Sequence, residues 1–186
     1  MEMAEQIAQR IKAERKQKGW SLDELAARSQ VSRAMISKIE RQVSTPTAVL
    51  LARLADALGL SLSALMFEAH PTQQSVSRLA EQHEWTDPAS GYTRRLVSPA
   101  LRKGDTEIVD INFPPAARVK FEDSSAHCIE GQVLLLEGQL QLSFGSESLS
   151  LKPGDCARLA LHRAHEVYNP GPEAARYLVV IRATSV

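Results

Sequence analysis

The sequence predicts a multidomain protein of mixed class, an all-α bundle of five short helices followed by an all-β sandwich or barrel. Two observations carry this expectation. Over residues 1–67, apolar side chains recur at helical spacing behind Ser-capped starts. Beyond residue 90 the pattern changes to short apolar or alternating runs separated by Gly, Pro and Asp turns. At 186 residues the chain can bury a core in each of two domains.

The first helix is written by Ile7, Ala8, Ile11 and Arg15 and ends near Gly19. Ser21 opens the second, and Glu24 three residues later completes a capping box. Leu22, Leu25 and Ala26 form its narrow apolar stripe, which ends at Ser29–Gln30, with Val31 plugging the turn. Ser32 caps a third helix whose apolar positions are Met35 or Ala34, Ile36 and Ile39. Its other face shows Ser32, Arg33, Ser37, Lys38 and Arg41. A Ser44–Thr45–Pro46–Thr47 loop leads to an apolar helix over Ala48–Leu58, with Gly59 as its C′ residue. A short Ser-capped helix, Leu62–Met66, closes the bundle. A polar helix face is ordinarily just solvated. Here the register of all five helices sets it apart.

ELA followed by VS and ISKIE, then SxPT and LARLADALGLSLSAL, resembles the lambda-repressor-like helix-turn-helix domain of XRE-class bacterial regulators over residues 5–67. The resemblance implies that residues 32–41 form a recognition helix for the major groove of double-stranded DNA. Ser32, Arg33, Ala34 and Ser37 would lie nearest the base edges, with Lys38 and Arg41 further along. Arg33 is the best candidate for readout, because a guanidinium can donate to both O6 and N7 of guanine. The N–H groups of Ser21 and Leu22 would clamp a phosphate, and Ser44, Thr45 and Thr47 would do so on the other flank. Arg15 and Glu40 match an internal salt bridge of the family. Gln30 and Gln42 stand where the family often has Gly, so a left-handed backbone is expected at two non-Gly residues.

Charge and cysteines agree with this division. The 22 basic and 22 acidic residues balance over the whole chain. Residues 1–67 hold 10 Lys/Arg and 7 Asp/Glu, whereas residues 68–186 hold 12 and 15, which fits a basic reader and a neutral-to-acidic partner. No 18-residue apolar run is present, so no membrane association is expected. The charged amphipathic start lacks the apolar core of a secretory signal. Cys128 and Cys156 have neither disulfide-framework nor zinc spacing, as expected for reduced thiols in a cytoplasmic protein.

Residues 68–90 read as a loose linker with a helical turn around Ser77–His83, and residues 91–186 as the second domain. Its expected strands are Tyr92–Val97, Glu107–Phe113, Val133–Leu136, Leu140–Phe144, Leu149–Leu151, Ala157–Leu161, Glu166–Tyr168 and Tyr177–Ile181. VLLLEGQLQL, LKPGD, HEVYNPG and RYLVVI resemble the two halves of a cupin, a double-sheet jelly roll (double-stranded β-helix). Cupin enzymes hold a metal through HxH, a Glu and a second-half His. On this chain those positions fall on Ser125, His127, Gly131 and His165, so two of four ligands are missing and no metal or other cofactor is expected. His127 and His165 then read either as polar groups lining an effector pocket or as a hydrogen-bonded pair. Further candidates for that lining are Gln132, Leu134, Leu136, Arg158, Tyr168 and Tyr177. Arg158 is either an anion-selecting buried guanidinium or a surface strand residue.

The resulting expectation is a non-enzymatic transcriptional regulator, a repressor, that binds a near-palindromic operator as a homodimer. Its recognition helices would sit roughly 34 Å apart, and an unidentified small-molecule effector would modulate binding. The competing readings are a metal-dependent cupin enzyme tethered to DNA and an antitoxin-like module that wraps a partner.

Overall fold

The computed structural model describes residues 3–67, 75–99, 106–123 and 128–184. The chain divides into two compact units, Met1–Glu68 and Ala69–Val186.

The first unit is five helices: α1 (Met3–Gln17), α2 (Leu22–Ser29), α3 (Arg33–Glu40), α4 (Ala48–Leu58) and α5 (Leu62–Met66). Each of α2 to α5 starts on a hydroxyl side chain that accepts from a backbone N–H one turn on: Ser21 from Glu24, Ser32 from Met35, Thr47 from Leu50 and Ser61 from Ala64. The predicted capping box is complete, since the Ser21 N–H also donates to the Glu24 carboxylate at 2.7 Å. Ile7, Ile11, Leu25, Val31, Ile36, Ile39, Leu51, Leu54, Leu58 and Leu65 form the core. Val31 therefore plugs the α2–α3 turn, and Ile36 and Ile39 anchor α3 from beneath.

Gln30 and Gln42 adopt left-handed backbones at φ 55° and 61°. At Gln42 the Val43 N–H reaches the Lys38 carbonyl and the Gln42 N–H reaches the Ile39 carbonyl, both at 2.8 Å. That is a Schellman ending, and it satisfies two carbonyls that α3 would otherwise leave open.

The second unit opens with a 3₁₀ turn at Leu79–Glu81, inside the predicted Ser77–His83 turn. Among the described residues ten strands follow: β1 (Glu84–Thr86), β2 (Thr93–Leu96), β3 (Thr106–Phe113), β4 (Arg118–Phe121), β5 (Cys128–Glu137), β6 (Leu140–Phe144), β7 (Glu147–Leu151), β8 (Cys156–Ala160), β9 (His165–Tyr168) and β10 (Ala175–Thr184). They form a six-stranded sheet, β1-β2-β3-β10-β5-β8, and a four-stranded sheet, β4-β9-β6-β7. All pairings are antiparallel.

Two strands escaped the sequence reading. β4 is short and carries alternating charge. β1 falls in the stretch read as linker, yet it pairs with β2 because Trp85, 3% exposed, packs edge-on against Tyr92.

Alternation assigns each strand a buried face. Across the six-stranded sheet the buried rows are Glu107–Ile181–Gly131–Leu159 and Val109–Val179–Val133–Ala157. At one end the sandwich is sealed by fully buried Phe113, Leu135, Leu140, Ala175 and Asn169. Phe121, Leu161 and His165 lie toward the other end and are only half-buried, so the described part of the sandwich is tighter at the first end.

Candidate functional site

On the first unit, α3 turns Ile36 and Ile39 inward and leaves Ser32, Arg33, Ala34, Lys38 and Arg41 exposed. Ser21 and Thr45 are exposed nearby, and Leu22, Ser37, Ser44 and Thr47 are half-buried. None of the eleven residues named for DNA contact is buried.

The helix is held from behind by Arg15 of α1. Its Nε and Nη2 each donate to one Glu40 oxygen at 2.7 Å, and its Nη1 donates to the Trp20 carbonyl at 2.7 Å. Arg15 therefore stays charged, its pKa raised first by the hydrogen bond to Glu40.

One part of the expected phosphate clamp requires correction. The Ser21 N–H is occupied by the Glu24 carboxylate, so it does not point outward as an open donor. The same contact holds the Glu24 pKa below its usual range. The hydroxyls of Ser32 and Thr47 accept backbone N–H groups as caps, which leaves each O–H able to donate.

Sequence reasoning also missed two features. Asp23 of α2 meets Arg33, with Oδ1 3.2 Å from Nε. Trp20 carries two cations on its ring, Arg28 at 4.4 Å and Lys18 at 5.3 Å from the centroid.

On the second unit the expected lining separates by face. Tyr177 and His165 point inward, and His127 lies outside the described residues. Gln132 and Arg158 face each other across β5 and β8 on the exposed side of the sheet. Leu134, beside Cys156, shares that outer side, and so does Leu136. Tyr168 also points outward, where the Arg118 guanidinium lies 3.9 Å over its ring and pairs with Glu166. Arg158 is thus the surface strand residue of its two readings. The reason is register: β5 pairs with β10 and β8 so that Gly131, Val133 and Leu135 take the inner face, and every neighbour takes the outer one.

The inner face instead presents Glu107, Arg94, Tyr92 and Tyr177, with His165 opposite. Burial pushes the Tyr92 phenol up to about 12 and the Tyr177 phenol further, so both keep their protons. His165 stacks on Phe121, with ring centroids 5.0 Å apart, and its Nδ1 lies 2.7 Å from the Arg163 carbonyl. A carbonyl only accepts, so Nδ1 carries the hydrogen and Nε2 is left as an acceptor. Burial lowers the His165 pKa, and that keeps the ring neutral.

The metal-site glutamate of cupin enzymes would project from position 131. A Cβ placed there would lie 2.4 Å from Leu161 Cδ1, so that volume is filled by a hydrocarbon side chain. The described residues do not fit a metal at this position.

A Helix-turn-helix family model (HTH_3) matches residues 11–65. The HTH-type transcriptional regulator SutR of Escherichia coli (strain K12) is 28% identical over 179 residues, covering 94% of this chain and 93% of that protein. The crystal structure of an HTH_3 family transcriptional regulator from Vibrio cholerae superposes with a TM-score of 0.82 at 25% identity, over 98% of both chains.

The first unit carries an XRE-type helix-turn-helix domain. Its helix-turn-helix segment also aligns with the HTH-type transcriptional regulator SinR of Bacillus subtilis (strain 168). The two are 41% identical over 68 residues, 36% of this chain and 61% of SinR. The same two-part fold appears in the hydroxypropylphosphonic acid epoxidase from S. wedmorenis, with a TM-score of 0.50 at 17% identity over 95% of this chain and 97% of that one. That likeness is one of fold alone. The second unit is the double-sheet β architecture expected from its cupin-like motifs, and among the described residues no helix is long and apolar enough to cross a membrane.

Proposed function

We propose that the protein is a cytoplasmic, sequence-specific DNA-binding transcriptional repressor whose cupin-like domain binds a small-molecule effector. The observation that carries this reading is the construction of α3. One side is locked by Ile36, Ile39 and the Arg15–Glu40 pair, and the other offers Arg33, Ala34, Lys38 and Arg41 to solvent. Such a helix fits the major groove, where Arg33 would read a guanine and Lys38 and Arg41 would answer phosphates. A homodimer places two such helices one helical turn apart on a symmetric site.

The effector would enter the half-buried end of the cupin-like domain. There it would meet the Glu107 carboxylate, the neutral His165 ring and apolar Leu159, Leu161 and Ile181. An acid and an imidazole acceptor favour a ligand rich in donors, such as an amine, over the anion that an inward Arg158 would have selected.

Selection of bound duplexes from a randomised pool by the full chain tests the reading. It should enrich a two-fold symmetric site with half-sites about 10 base pairs apart, centre to centre. Recovery of an unenriched pool at low salt would contradict it.

A further inference from the structure

We propose that Asp23 is a positioning residue for base readout, holding the Arg33 guanidinium by its Nε so that the two terminal nitrogens face the groove. This rests on the reading of α3 as a recognition helix.

The contact joins two elements: Asp23 belongs to the first turn of α2 and Arg33 opens α3. Both helices are fixed to each other through buried Leu25, Val31 and Ile36. The backbones that carry Asp23 and Arg33 are therefore fixed relative to each other, and the helix N-terminus favours the Asp23 charge. The carboxylate meets Arg33 at Nε, 3.2 Å from Oδ1. A guanidinium has five N–H donors in a fixed plane. The ion pair approaches on the Nε side, so the Nη1 and Nη2 edge remains, and that edge matches guanine O6 and N7. A carboxylate bound to the Nη pair would have consumed the same edge.

The side chains are 65% and 75% exposed, so the pair contributes little to folding stability. Its consequence is orientation, which grows once DNA excludes water from the contact. A carboxylate beside phosphates also weakens binding to any sequence. Asp23 would thus trade general affinity for discrimination, a combination that a purely structural residue does not produce.

The test measures affinity of the full chain for its selected site and for the same duplex with the Arg33-dependent guanine changed to adenine. Wild type, Asp23→Ala, Arg33→Ala and the double variant are compared. Asp23→Ala is expected to bind both duplexes more tightly while its discrimination between them falls about 10-fold, within the range of one bidentate contact. Adding Asp23→Ala to Arg33→Ala should cost no further discrimination, because the two act as one unit. An Asp23→Ala protein with an unchanged melting temperature and an unchanged ratio would overturn the proposal and leave the DNA reading intact. A wild type with no preference between the duplexes would overturn both.

Discussion

Glu40→Ala is expected to destabilise the helical unit by roughly 2–3 kcal/mol. This lies at or below the lower end for breaking a buried ion pair, because the Arg15 and Glu40 side chains retain 11% and 7% exposure. The loss comes less from the attraction removed than from the cation left behind. Arg15 keeps its bond to the Trp20 carbonyl, but Nε and Nη2 lose both acceptors in a part-buried setting. The pair also ties the last residue of α3 to the end of α1, so its loss should loosen α3 before it unfolds the core. Hydrogen exchange on the full chain separates these effects: amides of α1 and α3 should lose protection while those of the β-strands stay unchanged. Replacing both partners together, Arg15→Met with Glu40→Leu, should restore most of the stability, because no charge is then stranded.

Asn169→Ala is expected to cost the second unit roughly 4 kcal/mol, through several polar groups orphaned at once. Asn169 is fully buried and clamps the closed end of the sandwich. Its Nδ2 donates to the carbonyls of Phe113, Pro114 and Glu173 at 3.1, 3.2 and 2.8 Å, and its Oδ1 accepts from the Gly171 N–H at 2.9 Å. Asn169→Asp is the sharper variant. It keeps the shape and the bond from Gly171, but it turns the donor into an anion facing three carbonyl oxygens. Denaturant unfolding should therefore rank the aspartate variant no better than the alanine one. An Asn169→Asp protein as stable as wild type would show that the donor side of the clamp is dispensable.

The helical unit was nearly all legible in the sequence, and the reason is local. Helix starts are set by side chains within one turn, as Ser21 with Glu24 and Ser32 with Met35, and the 3.6 spacing of Leu25, Ile36 and Ile39 names the buried face directly. The left-handed turns at Gln30 and Gln42 follow from position even without glycine. Of the tertiary side-chain contacts, the Arg15–Glu40 pair was legible through the family resemblance, but neither Asp23 against Arg33 nor Arg28 over Trp20 leaves a periodic trace.

The β unit was legible in strand placement and illegible in phase. Val133, Leu134, Leu135 and Leu136 are apolar on both faces, so composition gives no parity. Only pairing with β10 and β8 decides that Val133 and Leu135 go in. Ala157 is small enough to hide the inward alternation of β8, which is why Arg158 could be placed inside. Glu107 went unread as a site residue because a strand-end acid ordinarily faces water, yet it shares the inner row of Ile181, Gly131 and Leu159.

If α3 is the part that reads sequence, the base preference of Arg33→Ala tests it most directly. Equilibrium binding of this variant to duplexes changed one base pair at a time should show preference relaxed at a single position per half-site, by about 1–3 kcal/mol. The remaining positions and the salt dependence from Lys38 and Arg41 should persist. A preference profile identical to wild type at every position would contradict the placement of α3 in the groove.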